Sequence, residues 1–449
     1  MAFEGDEGIP PGFIEQDRNN FAPRVGIAYD PVGDNRTVLR AGYGMYYAFP
    51  GALIRTNATD EFPVSPRLQG FEARLGNPWL TSVTPRWTTL PVPFPDNALD
   101  WVREADFQPP FPRMISYASD FSTPMSHQWN ITAEREIRSG VTATLGYVAN
   151  VSRNLLQTIP FDYGVFKNLP DGTPPSASAA NINARQPFPD YGPTSLRVET
   201  TGVIDYHSLQ ASSNIRARDF NGRVTYVYAH DFGNGGGSST SVQDEDPNGF
   251  TTQADNPADP MSGYGRRSRI HTLRAFYTYE VPFLRSNTGW AGRLLGRWQV
   301  SGSATFNSGQ PINVILGYDA NFDGITTSHQ DRPDLVSPIT YTGGSADEQM
   351  RGYFDPSSFK APVITAQNTF GNLPRNALFA PGTWNSSLVL IKSFEVQNGM
   401  RAQFRVEAYN WLNHANLDAP VTNMSRGDFG QILTRSGNRT VQMGVLFRF

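Results

Sequence analysis

The feature that most constrains this chain is an alternation of period two, repeated in long segments and held to the last residue. In the ending TVQMGVLFRF, Val441, Met443, Val445, Phe447 and Phe449 fall on one face and Thr440, Gln442, Gly444, Leu446 and Arg448 on the other. Such a period places alternate side chains on opposite sides of a β-strand. The same pattern sets Leu39, Ala41, Tyr43, Met45 and Tyr47 against Arg40, Gly42 and Gly44. It recurs with Trp129, Ile131, Ala133 and Ile137 against Gln128, Asn130, Thr132, Glu134 and Glu136. Trp298, Val300, Gly302, Ala304 and Phe306 against Gln299, Ser301, Ser303, Thr305 and Asn307 is as regular. Segments of this kind come in hairpin pairs, which gives roughly twelve strands of about nine to twelve residues.

Strand length and connection length narrow the fold further. A strand crossing a bilayer at a tilt takes about nine to eleven residues, against about five or six in most water-soluble sheets. Short turns fall near 31–35, 138–140, 218–221, 282–296 and 395–399. Between them lie long loops near 48–126, 150–206, 232–270, 308–383 and 411–439. Strict alternation of short periplasmic turns with long external loops belongs to outer-membrane barrels. If the last residue lies on the periplasmic side, every short turn does too. Backbone polar groups in hydrocarbon need partners, so β-structure spans a membrane only as a closed barrel. The apolar faces would then meet lipid and the polar faces a wet lumen, with Trp129, Tyr46, Tyr47, Trp298 and Phe449 near strand ends where aromatic girdles belong. The same alternation also suits a large soluble β protein with its aromatics in the core, and only strand length and loop parity argue against it.

Composition excludes several classes. Lys+Arg 37 against Asp+Glu 41 leaves a net charge of -4, so nothing suggests nucleic acid as a partner. Gly 41, Pro 35 and 12% aromatic residues suit a turn-rich β protein. Cysteine is absent, which removes disulfides and thiolate metal sites. No apolar run is long enough for a membrane-spanning helix, and the first twenty residues lack the basic start and apolar core of a signal peptide.

Several motifs, in order, resemble the Oar-like TonB-dependent transporters: NNFAPRVGIAYDP from Asn19, RAGYGMYY, HQWNITAERE, LGYVANVSRNL, DRPDL from Asp331, FGNLPRNALFAPGTWNSSLVLIKSF from Phe370, FRVEAYNWLNHANL from Phe404 and FGQI. The resemblance covers nearly the whole chain from Asn19 onward. It implies an outer-membrane barrel of about twenty-two strands, a plug inside it and an N-terminal segment that engages TonB for energised uptake. This chain would supply the C-terminal roughly twelve strands over 22–449, and 1–21 would be the remnant of an external loop. The plug, the TonB-contacting segment and the signal peptide have no counterpart here, so the expectation is the C-terminal half of a longer protein. Outer-membrane lipid and the barrel assembly machinery are the implied partners, with Phe447 and Phe449 as the terminal signal that machinery reads; TonB would act only through the missing part.

Candidate sites are few. Asp319, Asn321, Asp323 and Gly324 stand in D-x-N-x-D-G spacing, which can wrap a hard cation such as Ca²⁺. Gln330 stands where an EF-hand loop has its bidentate Glu, and an Asx-rich turn without an ion fits the same residues. Arg40, Arg401, Arg405 and Glu407 are expected to face the lumen, lining a solute path, contacting a plug or simply paired there. The polar stretch 234–260 reads as an external loop that specifies no ligand. No enzymatic signature or cofactor motif is present. His127, His207, His230, His271, His329 and His414 show no ligand spacing, and Glu134 with Glu136 is an ordinary pair two apart on one strand. The expectation is ligand capture by external loops and uptake through the outer membrane. The competing class is an exported β-rich surface protein that binds glycan or peptide without transport.

Overall fold

The computed structural model describes residues 17–48, 115–118, 120–189, 195–234, 259–284, 289–325, 331–395 and 401–448. Eleven long strands carry the chain: β1 (Arg24–Tyr29), β2 (Thr37–Tyr47), β3 (Met125–Arg138), β4 (Val141–Pro160), β5 (Leu196–Arg216), β6 (Phe220–Gly233), β7 (His271–Glu280), β8 (Trp298–Asn307), β9 (Thr383–Glu395), β10 (Arg401–Tyr409) and β11 (Thr440–Arg448). Each pairs antiparallel with its neighbours in chain order, forming one continuous meander. Among the described residues the long strands number eleven, in keeping with the roughly twelve that the sequence suggests. Among the described residues before β3, Ile115–Tyr117 pairs in parallel with Leu196–Val198 and stays off the strand path.

Register confirms the two faces. One rung runs Ile27, Ala41, Ile131, Tyr147, Leu209, Tyr228 and His271 across seven strands. The rung beside it runs Arg40, Thr132, Gly146, Gln210, Val227, Thr272, Asn307 and Thr383. Apolar side chains therefore line one surface of the wall and mostly polar ones the other. The apolar surface is uncovered by protein, since Val25, Ile27, Ile131, Met443 and Phe447 are all exposed. Left in water, each large side chain would forgo about 1.5–3 kcal/mol of burial. Hydrocarbon is the solvent that suits such a surface. Among the described residues β1 pairs only with β2 and β11 only with β10, so the wall is open along those two edges.

Two differences from the sequence reading concern the external side. β4 and β5 reach 20 and 21 residues, so the loop expected over 150–206 shrinks to 161–195. At about 3.3 Å per residue these strands far exceed a hydrocarbon core of about 30 Å, and their outer ends stand clear of the membrane. A register shift between Ser152 and Leu155 marks the departure, with Asn154 at φ 56°. The short turns at 31–35, 138–140 and 218–221 are described, while 285–288 and 396–400 lie outside the described residues. At the two-residue turn Ser139–Gly140, Gly140 has φ +77°, and a Cβ there would sit 2.1 Å from the Arg216 carbonyl oxygen, so the turn takes glycine.

The dense core of the molecule lies in the long connections and not in the wall. Ile312, Val314, Phe354, Phe359, Leu373, Leu378 and Ile432 form a buried cluster drawn from 308–382 and 410–439. Phe354, Phe359 and Phe429 meet edge to face at centroid separations of 5.5, 5.3 and 5.9 Å. Backbone bonds stitch the two connections together, from Ile315 N to Thr422 O at 3.1 Å and from Tyr353 N to Gly430 O at 2.7 Å. A short helix, α1 (Ala179–Arg185), belongs to the 161–195 loop. Its fully buried Arg185 donates to Val165 O at 2.8 Å and to Phe322 O, tying that loop to the same cap. Gly309 sits where β8 enters the cap. A Cβ there would lie 1.7 Å from Ala380 O, so only glycine allows the two chains to approach.

Candidate functional site

The polar face of the wall is held by local pairs. Arg40 meets Glu134 at 3.6 Å, and Arg405 meets Glu407 at 3.0 Å, with the Tyr409 hydroxyl donating to Glu407 at 2.9 Å. Arg40 on β2 and Arg405 with Glu407 on β10 thus lie on the polar face, each with a charged partner. Arg405 Nε is buried without a hydrogen-bond partner among the described residues. Arg401 stands opposite Glu395 and Arg448 in register, at the short-turn end of β10. Glu136 accepts from Gly140 N at 3.2 Å, so it caps a turn, while Glu134 faces Arg40. Phe447 is exposed on the apolar face of β11, and Phe449 lies outside the described residues.

Two recesses open on the polar face. The lower one, about 520 Å³, is lined by Arg216, Arg223, Phe276, Ser301, Ser303 and Ser387 near the short-turn ends of β5 to β9. The upper one, about 470 Å³, lies where the wall meets the cap, between Tyr206, Asp231, Arg267, Arg269, Thr272 and Gln310. Its geometry is fixed from below by the strands and from above by the cap. Arg269 donates to Ser308 O at 2.6 Å and to Gln310 Oε1 at 3.1 Å, and burial lowers the pKa of its guanidinium. Arg267 N donates to Asp231 O at 2.9 Å. The segment carrying both arginines is anchored to the cap, since Asn376 Nδ2 donates to Arg266 O at 2.9 Å and Arg332 to Ser262 O at 2.7 Å. A polar mouth with two guanidinium groups and a carboxylate can hold a solute by charge-assisted hydrogen bonds. Sequence reading missed it, although the run GRRSRI (Gly265–Ile270), with three arginines just before a strand, carries the signal.

The D-x-N-x-D-G segment closes into one turn inside the cap. Asp319 accepts from Asp323 N at 3.1 Å and Gly324 N at 2.9 Å, Asn321 from Asp323 N at 3.1 Å, and Asp323 from Ile325 N at 2.7 Å. Backbone N–H groups thus hold the turn through all three side chains. Burial, and then the nearby Asp319 charge, pushes the Asp323 carboxyl up to about 7. Among the described residues no group of three or more His, Asp or Glu side chains converges to hold a metal. Gln330 lies outside the described residues, as does nearly all of the polar loop 234–260.

The histidines are better ordered than their spacing suggests. Tyr43 and His127 Nδ1 hydrogen-bond at 2.8 Å, Tyr147 and His207 at 2.7 Å, and Tyr226 and His271 at 2.8 Å. His230 pairs with His207 in register, and His414 packs on Trp384 at 4.4 Å. His127, His230 and His271 lie near the outer ends of their strands, where an aromatic girdle belongs. His329 lies outside the described residues.

A long-stranded antiparallel meander with one apolar and one polar face, short turns below and a packed cap above, defines the class of outer-membrane β-barrel walls. The sequence profile of the outer membrane beta barrel domain matches residues 1–442, and the chain belongs to that family. No curated protein sequence matches it. Among solved structures, the outer membrane transporter YddB from Escherichia coli aligns with 95% of this chain and 40% of its own at 11% identity and a TM-score of 0.47. The siderophore receptor PirA from Acinetobacter baumannii aligns with 95% and 41% at 11% identity and 0.41. The FrpB iron transporter from Neisseria meningitidis aligns with 95% and 39% at 10% identity and 0.39. The chain spans about two-fifths of the length of these proteins.

Proposed function

We propose that this chain forms the C-terminal wall and external cap of a TonB-dependent transporter of the Oar-like type, which captures a solute at the outer surface and passes it along the lumen. The observation that carries this reading is the upper recess, where Arg267, Arg269 and Asp231 line a polar mouth directly beneath a packed cap. A cap with its own core holds a binding surface rigid, and preorganisation lowers the entropy cost of capture. The energised step would belong to a plug and a TonB-contacting segment acting with this wall. FrpB is named an iron transporter and PirA a siderophore receptor, but the mouth of this chain specifies only a polar solute able to pair with guanidinium groups.

The test is a comparison of solute depletion from a complex medium by three strains: wild type, a deletion of this gene, and a deletion of the energising TonB protein. The expected result is at least one solute whose uptake fails in both deletions, and fails again when Arg267→Ala and Arg269→Ala are combined. If the protein resists carbonate and urea washing of the outer membrane yet no solute is affected, transport is wrong and a surface-binding role replaces it.

A further inference from the structure

The turn between β7 and β8 contains more apolar surface than a simple reversal needs. It holds a short helix, α2 (Trp290–Leu295), and the residues around it are unusually bare: Trp290 is 76% exposed, Phe283 60%, Leu294 57% and Leu295 53%. Monomeric proteins rarely leave four large apolar side chains together in water. The turn is nonetheless well built. Val281 N donates to Trp298 O at 2.8 Å to close its base, and Gly296 packs so closely that a Cβ would lie 2.4 Å from the Leu284 carbonyl oxygen.

Lys392 shows which way the turn folds. It lies on β9 opposite Trp298 and Phe404, and so on the same face as Leu388 and Leu390, the apolar one. Yet its side chain is buried, with only 1% exposed. The ammonium donates to Gly296 O at the end of α2 and lies between the rings of Trp298, at 5.7 Å, and Phe394, at 5.1 Å. A lysine that projects from the lipid face can reach Gly296 only if the helix folds outward over the wall and not into the lumen. The exposed side chains of α2 then continue the lipid-facing surface at the periplasmic ends of the strands. Tryptophan concentrates at that depth, and arginines such as Arg293 can reach the phosphate layer from it.

We propose that this turn is a membrane foot: Phe283, Trp290, Leu294 and Leu295 insert into the phospholipid boundary of the periplasmic leaflet and fix the vertical position of the wall. The proposal rests on the outer-membrane reading, so the test must separate the two. Because the chain has no cysteine, single-cysteine reporters can be placed without background. A nitroxide would be attached at Leu294→Cys in the foot, at Ile131→Cys on the lipid face of β3 and at Arg218→Cys in another periplasmic turn, with the full chain folded into phosphatidylethanolamine–phosphatidylglycerol vesicles. Collision with oxygen, which concentrates in lipid, is compared with collision with a water-soluble nickel chelate. The expected oxygen-to-nickel ratio at 294 is several-fold above that at 218 and approaches that at 131. A ratio at 294 equal to that at 218, with 131 in lipid, overturns the foot alone. Water-like ratios at both 294 and 131 overturn the membrane reading as well. Spin–spin broadening at 294 that disappears on dilution with unlabelled protein means that a second copy covers the helix, and also overturns the proposal. Leu295→Cys serves as a second reporter should the first variant fail to fold.

Discussion

The wall and the cap solve opposite problems. In the wall, Val25, Ile27, Met443 and Phe447 turn outward and are exposed, while the interior surface carries Arg40, Glu134, Gln210 and Glu407. In the cap, Ile312, Leu378, Phe354 and Ile432 turn inward and are almost wholly buried, as in any water-soluble domain. One chain is therefore patterned for two solvents. Strand ladders satisfy the wall's backbone, and lipid stabilises its apolar face; the cap depends on its own packing. Conditions that strip lipid should loosen the wall and spare the cap, while core mutations in the cap should do the reverse.

The sharpest way to break this division is Phe354→Ala. Phe354 is 1% exposed at the centre of the ring cluster, and truncating a buried Phe costs about 3–5 kcal/mol. The cap should become cleavable by protease at markedly lower urea, while the heat-dependent gel shift of the wall is unchanged. Loss of both together would mean that wall and cap form one cooperative unit.

Met443→Arg probes the other region. Met443 is 68% exposed near the middle of β11, a position where a soluble protein would accept arginine at almost no cost. On the lipid face near the bilayer midplane the same change costs about 2–4 kcal/mol. Urea titration of folding into vesicles should show that loss, with cap protection unaltered. A neutral result would place β11 out of lipid.

How much of this was legible in the sequence follows the same division. Strand identity and the two faces came from period two, because Ile131 and Thr132, or Val300 and Ser301, must take opposite faces whatever the rest of the chain does. The cap was not legible. Its core joins Ile312 to Phe354, Leu378 and Ile432 across more than a hundred residues of irregular chain, and no periodicity announces such contacts. The upper recess was hidden for the same reason, since Asp231, Arg269 and Gln310 come from three separate segments. The Asx turn at Asp319 was visible because its bonds are all local. Lys392 carried no sequence signal of its role, since a charge on the apolar face becomes sensible only with Gly296 folded over it.

The smallest expected effect concerns the joint between the two regions, where β4 leaves the wall. Asp162 is fully buried two residues beyond Pro160; its Oδ1 accepts from Phe188 N at 2.9 Å, and its Oδ2 has no partner among the described residues. Gln186 donates to the Asp162 carbonyl at 3.1 Å, while its own Oε1 likewise has no partner among the described residues. Two orphaned acceptors in one buried place favour a proton on the carboxyl, and burial raises the Asp162 pKa above its ordinary value. A raised carboxyl pKa means that the folded state holds the proton more tightly than the unfolded one. Its favourable contribution is complete below the ordinary carboxylate range and is lost as pH climbs through the folded value. Protection of the 161–189 segment against hydrogen exchange should therefore fall as pH rises out of the acid range, after correction for the intrinsic exchange rate. Asp162→Asn, which removes the charge and keeps the shape, should flatten that dependence. A pH slope unchanged in Asp162→Asn would assign the effect to another group, and with it the idea that the joint is set by this carboxyl would fall.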